Sequence, residues 1–154
     1  MTAPYTGGCQ CKRIRYEIRA EPFTLYACHC QECQKQSSSA FGMSMPFPRD
    51  AVFIIQGQPK QWQRSSESRR EVSCFFCGEC GTRLFHHPAR NPKITNLKPG
   101  TLDDTSWLKP VGNLWTGSSQ KWVVLDEQLL NYEAQPEDFT QLFKQFQEEQ
   151  NCPM

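Results

Sequence analysis

Apolar and polar positions alternate over short distances through the first 130 residues. The runs RIRYEIRA (13–20), AVFIIQG (51–57), EVSCFFC (71–77) and KWVVLDE (121–127) are apolar or alternating, and Gly, Pro, Ser and Asn punctuate the stretches between them. A period of two marks strands buried on one face, and the turn-forming residues predict tight connections. Nine glycines and eleven prolines leave no room for a long helix before residue 130. The pattern changes in PEDFTQLFKQFQEEQ (136–150), where Phe139, Leu142, Phe143 and Phe146 recur at helical spacing behind Pro136 and two acids suited to a helix N-terminus. The expectation is a mainly β fold with a C-terminal amphipathic helix over 136–150, its apolar stripe packed on the sheet. At 154 residues the chain suits one domain, residues 1–154, without internal repeat or low-complexity segment.

Charge narrows the function classes. Seventeen Lys and Arg stand against 16 Asp and Glu, so no broad field draws the chain to a nucleic-acid backbone or an anionic membrane. No stretch approaches the roughly 20 apolar residues of a membrane helix, and MTAPYTGGCQCKRIRYEIRA carries no apolar signal core. A cytoplasmic location with no membrane partner is the expectation. Nine cysteines in a reducing compartment suit metal binding better than disulfides.

Their spacing sharpens this. Cys9 and Cys11 stand two residues apart, and in an extended segment both sulfurs project to one side. FCGECG offers Cys77 and Cys80 in a CxxC turn, with Gly81 allowing the tight backbone that brings the thiolates together. These four suit a closed tetrahedral zinc site, with Zn–S near ~2.3 Å, whose contribution is folding free energy. CHCQEC (28–33) differs, because Cys28, Cys30 and Cys33 share one turn with no fourth ligand beside them. Three protein ligands and an open position are the pattern of zinc that does chemistry, and three thiolates make the ion electron-rich. Such a site suits holding an incoming thiol as thiolate near an electrophile. Spacing leaves a second arrangement open, in which this triplet joins one CxxC pair in a single structural site.

Other residues divide by context. His29 points away from the side on which Cys28 and Cys30 converge and is expected to orient them through a hydrogen bond. His86 and His87, after GTRLF, are expected in structural or surface positions. Cys74 lies on the strand face opposite Cys77 as a small buried residue, and Cys152 is a free thiol near the terminus. Asp103 and Asp104 read as turn residues bonding their own backbone. Trp107, Trp115, Trp122, Phe41 and Phe47 read as core, with one or two free to wall a cleft.

The segments GGCQCKRIRYE, CHCQECQKQSSSAF, FCGECGTRLF and GTLDD, followed by the KW of SSQKWVV, resemble the glutathione-dependent formaldehyde-activating enzyme family, from about Gly7 to about Trp122. The resemblance implies the zinc-stapled β architecture called Mss4-like. It implies two zinc ions per chain, one structural on Cys9, Cys11, Cys77 and Cys80, and one at the active centre on Cys28, Cys30 and Cys33. It also implies a lyase that joins glutathione or a similar thiol to formaldehyde or a small aldehyde. Two positions depart from the family pattern: Ser37-Ser38-Ser39 replaces Ser-Gly-Ser after the triplet, and Asn113 stands where a histidine is frequent. The alternative is a non-catalytic, zinc-stabilised binding module in which every metal is closed by protein ligands.

Overall fold

Short alternating runs become short strands in the computed structural model, which describes residues 2–65 and 71–151. The strands are β1 (Tyr5–Gly8), β2 (Arg15–Ile18), β3 (Tyr26–Cys28), β4 (Gly42–Pro48), β5 (Val52–Gln56), β6 (Lys60–Ser65), β7 (Glu71–Phe76), β8 (Arg83–Pro88), β9 (Ile94–Leu97), β10 (Gly112–Leu114) and β11 (Leu130–Tyr132). Helix α1 (Gln31–Ser37) follows β3, and α2 (Thr140–Asn151) follows β11. These eleven strands form one three-stranded and one eight-stranded sheet, the mainly β class the periodicity predicts. The chain packs as two compact units, Met1–Pro22 with Pro46–Leu108, and Phe23–Met45 with Lys109–Met154. Cys152 lies outside the described residues.

In the first unit, β2 pairs antiparallel with both β1 and β5. Alternation along RYEI buries Tyr16 and Ile18 completely and leaves Arg15 and Glu17 partly exposed. Each fully buried apolar side chain of this size contributes roughly 1.5–3 kcal/mol. The Tyr16 hydroxyl lies 2.8 Å from Thr101 Oγ1 and so close to Gly7 that a Cβ there would fall 2.2 Å from it. Only glycine fits at Gly7. Strands β6 to β9 form an antiparallel meander in the order β9-β8-β7-β6, with Leu84 and Leu97 fully buried.

In the second unit, β3 runs between β10, parallel to it, and β4, antiparallel to it. Strand β11 lies parallel on the far side of β10. Leu142 and Phe146 are the buried face of α2, and Phe143 meets Phe23 with ring centroids 5.7 Å apart. Thr24 Oγ1 donates to the Leu142 carbonyl at 3.1 Å, so the apolar stripe of α2 is packed rather than displayed. The helix begins at Thr140, later than the predicted residue 136. Asp138 Oδ1 accepts from the Thr140 amide at 2.9 Å and from its hydroxyl at 2.7 Å, and this side-chain acceptor marks where helical bonding starts.

The run 121–127 forms no strand. Val123 N donates to Gln120 O at 2.9 Å and closes a turn, and the ladder position beside β10 is taken by β11. An alternating run without a hydrogen-bonding neighbour has nothing to hold it extended. Trp122 and Val124 are consequently 72% and 94% exposed, so the expectation of a core Trp122 fails.

Candidate functional site

The structure gathers the cysteines into two groups, Cys9, Cys11, Cys77 and Cys80 in the first unit and Cys28, Cys30 and Cys33 in the second. Within each group the sulfurs all lie within 4.8 Å of one another.

The first group is built by two turns. Cys9 and Cys11 are not in an extended segment. Lys12 N donates to Cys9 O at 3.0 Å, and Lys12 takes a left-handed φ of 62°. The sulfurs of Cys9 and Cys11 approach to 3.5 Å through this reversal, not through strand alternation. Gly81, with φ 73°, lets its amide return to Cys77 O at 2.9 Å, and Cys77 N donates to Thr82 O at 2.9 Å. The Cys11 and Cys77 sulfurs stand 3.7 Å apart. Cys9 accepts from the Ile14 amide at 3.2 Å. Thr82 Oγ1, 3.2 Å from Cys80, is the main influence bringing the Cys80 thiol down to about 5. Cys11 has the opposite fate: against the Arg13 amide, desolvation and its sulfur neighbours push it up to about 12. Four sulfurs this close together are a donor set that would suit a tetrahedral metal ion.

The second group is built by a strand end and a helix start. Cys28 closes β3, opposite Leu114 of β10 and Gly42 of β4. Cys30 is the N-cap of α1, its sulfur accepting from Cys33 N at 3.4 Å. The end of CHCQEC therefore opens a seven-residue helix, Gln31–Ser37, that the glycine and proline count does not reveal. The three cysteines are only 7–8% exposed. Hydrogen bonding to the Cys30 and Cys33 sulfurs, and then burial, raises the Cys28 thiol far above its usual range. Cys30 is also raised: Cys28 works to lower it, and Cys33 and burial outweigh that. Three buried sulfurs gathered this closely are a donor set suited to a soft dication. Among the described residues no further His, Cys, Asp or Glu completes this group.

His29, between two of these cysteines, is 1% exposed. Its amide donates to Leu114 O at 2.8 Å, and its carbonyl accepts from Gln34 Nε2 at 2.6 Å and Ser118 Oγ at 3.1 Å. The ring turns to Asn113, with Nε2 3.1 Å from Oδ1. Asn131 Nδ2 donates to the carbonyls of Asp126 and Leu129, so its Oδ1 accepts from Asn113 Nδ2 at 2.9 Å. This chain of amides leaves Asn113 Oδ1 facing His29, and Nε2 must carry the proton. His29 thus fixes the backbone between Cys28 and Cys30. Gln34 and Ser118 lie within the quoted segments without having been singled out, and Asn131 is marked in the sequence only by its polarity between Leu130 and Tyr132.

The remaining candidates lie apart from both groups. Cys74 is 3% exposed on β7. His86 and His87 both fall within β8, and His86 is buried. Asp104 behaves as a turn residue, accepting from Ser106 N at 2.9 Å and Ser106 Oγ at 2.7 Å. Asp103 does not: it accepts from Arg15 Nη1 at 2.8 Å and from Thr6 Oγ1 at 2.6 Å. Arg15 and then Thr6 lower its carboxyl to about 2.

The profile of the family described as "Glutathione-dependent formaldehyde-activating enzyme" matches residues 4–118. A Penicillium rubens protein provisionally named a glutathione-dependent formaldehyde-activating enzyme is 28% identical over 116 residues, covering 69% of this chain and 59% of its own length. A Schizosaccharomyces pombe protein named an uncharacterized lyase is 29% identical over 98 residues, covering 60% of this chain and 65% of its own. The chain thus spans less than two thirds of either relative. A crystal structure of a Rhodobacter sphaeroides protein shares the fold with a TM-score of 0.51 at 17% identity, over 68% of this chain and 91% of the other. No helix among the described residues is long and apolar enough to cross a membrane.

Proposed function

The chain belongs to the glutathione-dependent formaldehyde-activating enzyme family, and from that footing we propose that it is a zinc-dependent carbon–sulfur lyase. Its substrates are a glutathione-like thiol and formaldehyde or another small aldehyde. The S–C bond forms as the carbonyl π bond breaks, the thiol proton is released, and the new oxygen on carbon takes up a proton to give the S-hydroxymethyl adduct. Cleavage is the reverse.

The observation that carries this reading is the three-sulfur group, buried and without a fourth ligand side chain among the described residues. Cys28, Cys30 and Cys33 are assigned to one zinc, and Cys9, Cys11, Cys77 and Cys80 to a second, structural one. Zinc on three thiolates supplies a soft Lewis acid that keeps an added sulfur ligand in its thiolate form. The protein's own part is positional. The β3 end and the α1 N-terminus set the three sulfurs, and the His29 backbone, tied to Leu114, Gln34 and Ser118, holds the turn between them. Burial of the cysteines limits water around the reacting sulfur. Asn113, an amide, exchanges no proton.

Adduct formation also proceeds without an enzyme, so the test is acceleration over an uncatalysed blank. Zinc-loaded protein is expected to accelerate the reaction of glutathione with formaldehyde. Cys30→Ser is expected to lose that acceleration while keeping one zinc per chain. Undiminished rate in a folded Cys30→Ser variant contradicts the assignment.

A further inference from the structure

The run 121–127 forms no strand, yet it is tied by hydrogen bonds to the three-cysteine turn, and the tie ends in an exposed aromatic ring. Trp122 Nε1 donates to Gln120 Oε1 at 2.7 Å. Gln120 Nε2 donates to Gln34 Oε1 at 3.1 Å, and Gln34 Nε2 donates in turn to the His29 carbonyl at 2.6 Å and to Ser118 O at 2.8 Å. His29 separates Cys28 from Cys30, and Gln34 directly follows Cys33, so one glutamine grips the cysteine segment at both ends. Each carboxamide is engaged at its oxygen and at its nitrogen, which fixes the way it stands. All of these residues belong to the second unit. Three hydrogen bonds and two carboxamides put the indole nitrogen at most about 14 Å from the His29 carbonyl oxygen.

Backbone strain marks the same segment. Trp115 takes φ 60° and ψ 41°, an outlier for so bulky a side chain. It follows Leu114, the partner of Cys28 across β10 and β3, and its carbonyl accepts from Ser118 N and Ser118 Oγ, both at 3.1 Å. Strain of this kind persists only where the surrounding contacts enforce it, and it gathers at ligand clamps. Here it turns the chain after β10 so that Ser118 and Gln120 return to α1. Trp122, 72% exposed, therefore combines a large apolar ring open to solvent with an N–H that is held in place.

We infer that Trp122 is a specificity-determining residue for the thiol substrate, its ring packing on the part of the thiol that does not react. The substrate class this favours is a peptide thiol. Three extended residues span roughly 10 Å, the scale of the tie between Trp122 and the cysteine turn, whereas a two-carbon thiol carries nothing that reaches the ring. The inference rests on the reading of the three-cysteine group as the place of the thiol sulfur.

The test compares the full zinc-loaded chain with its Trp122→Ala variant, without aldehyde, using glutathione and 2-mercaptoethanol as probes. By calorimetry, the Kd for glutathione is expected to rise at least fivefold in the variant, and the preference for glutathione over 2-mercaptoethanol is expected to narrow by a similar factor. In a ¹⁵N-labelled sample, the Trp122 indole resonance, identified by its loss in Trp122→Ala, is expected to shift saturably with glutathione. An unchanged Kd for glutathione, equal weakening for both thiols, or an indole resonance that ignores glutathione overturns the inference. None of these readouts needs turnover. A saturable Trp122 shift without acceleration over the uncatalysed blank contradicts the lyase reading alone, and acceleration with an unmoved Trp122 resonance contradicts this inference alone.

Discussion

The two cysteine groups use the same element in different settings, and the difference lies in what surrounds the sulfurs. In the first group, two pairs more than sixty residues apart in sequence meet through two turns, Cys9–Lys12 and Cys77–Thr82. Its sulfurs range from Cys77, 1% exposed, to the exposed Cys11. In the second group, three sulfurs come from one short segment, all are buried, and their turn is tied by hydrogen bonds of the His29 backbone. Four ligands closing a long loop favour a stabilising role, because loop closure is entropically costly without them. Three ligands from one segment close no long loop. A metal held there would stabilise the chain less and would leave coordination chemistry open.

The largest expected effect comes from breaking the first group. Cys77→Ser should cost on the order of 5 kcal/mol or abolish cooperative unfolding, because metal binding there is folding free energy. Thermal denaturation checks it. Cys33→Ser, in the other group, should cost about 1–2 kcal/mol by the same measurement while removing one zinc per chain. Comparable losses in both variants would erase the distinction. Graded chelator, followed by a colorimetric zinc assay, should empty the three-sulfur group first, and its rate should fall before the fold does.

A smaller effect concerns the Arg15–Asp103 pair, which ties β2 to the segment after Thr101. Asp103 is held at about 2, chiefly by Arg15. A carboxyl lowered on folding contributes stability that is present above its unfolded value and lost as pH falls through the folded one. The contribution should therefore decline from about pH 4 to about pH 2. Both partners are partly exposed, so Asp103→Asn should cost only about 0.5–1 kcal/mol at neutral pH. The variant should show a flatter acid limb in denaturation followed across that range.

The smallest effect acts at the second group alone. Ser38, the C-cap of α1, takes φ 51° and ψ 40° in the left-handed region. Glycine adopts this conformation without penalty. Ser38→Gly should raise stability by about 0.5–1 kcal/mol, seen as a higher midpoint in urea, without changing metal content.

What the sequence made legible follows from how local each signal is. The CxC, CxCxxC and CxxC spacings are local constraints on sulfur positions, and all seven cysteines fall into the two groups expected of them. The phenylalanine and leucine spacing of α2 is equally local, and only its start moved, to where the Asp138 side chain accepts. The run at 121–127 failed because alternation records what a strand could do and not whether a neighbour is available. Helix α1 escaped because its N-cap is a cysteine, a residue outside the usual capping set. The Asn113–Asn131 support of His29 joins residues from separate strands and leaves no mark in spacing. Ser38 is the reverse case: it stands where the family pattern has glycine, and the φ there is positive.

The central claim is that one metal position accepts an outside sulfur and the other does not. Cadmium-113 resonance on fully substituted protein tests it most directly. The account predicts two resonances, of which only the one lost in Cys30→Ser moves when glutathione is added. Two resonances that both ignore glutathione would contradict it.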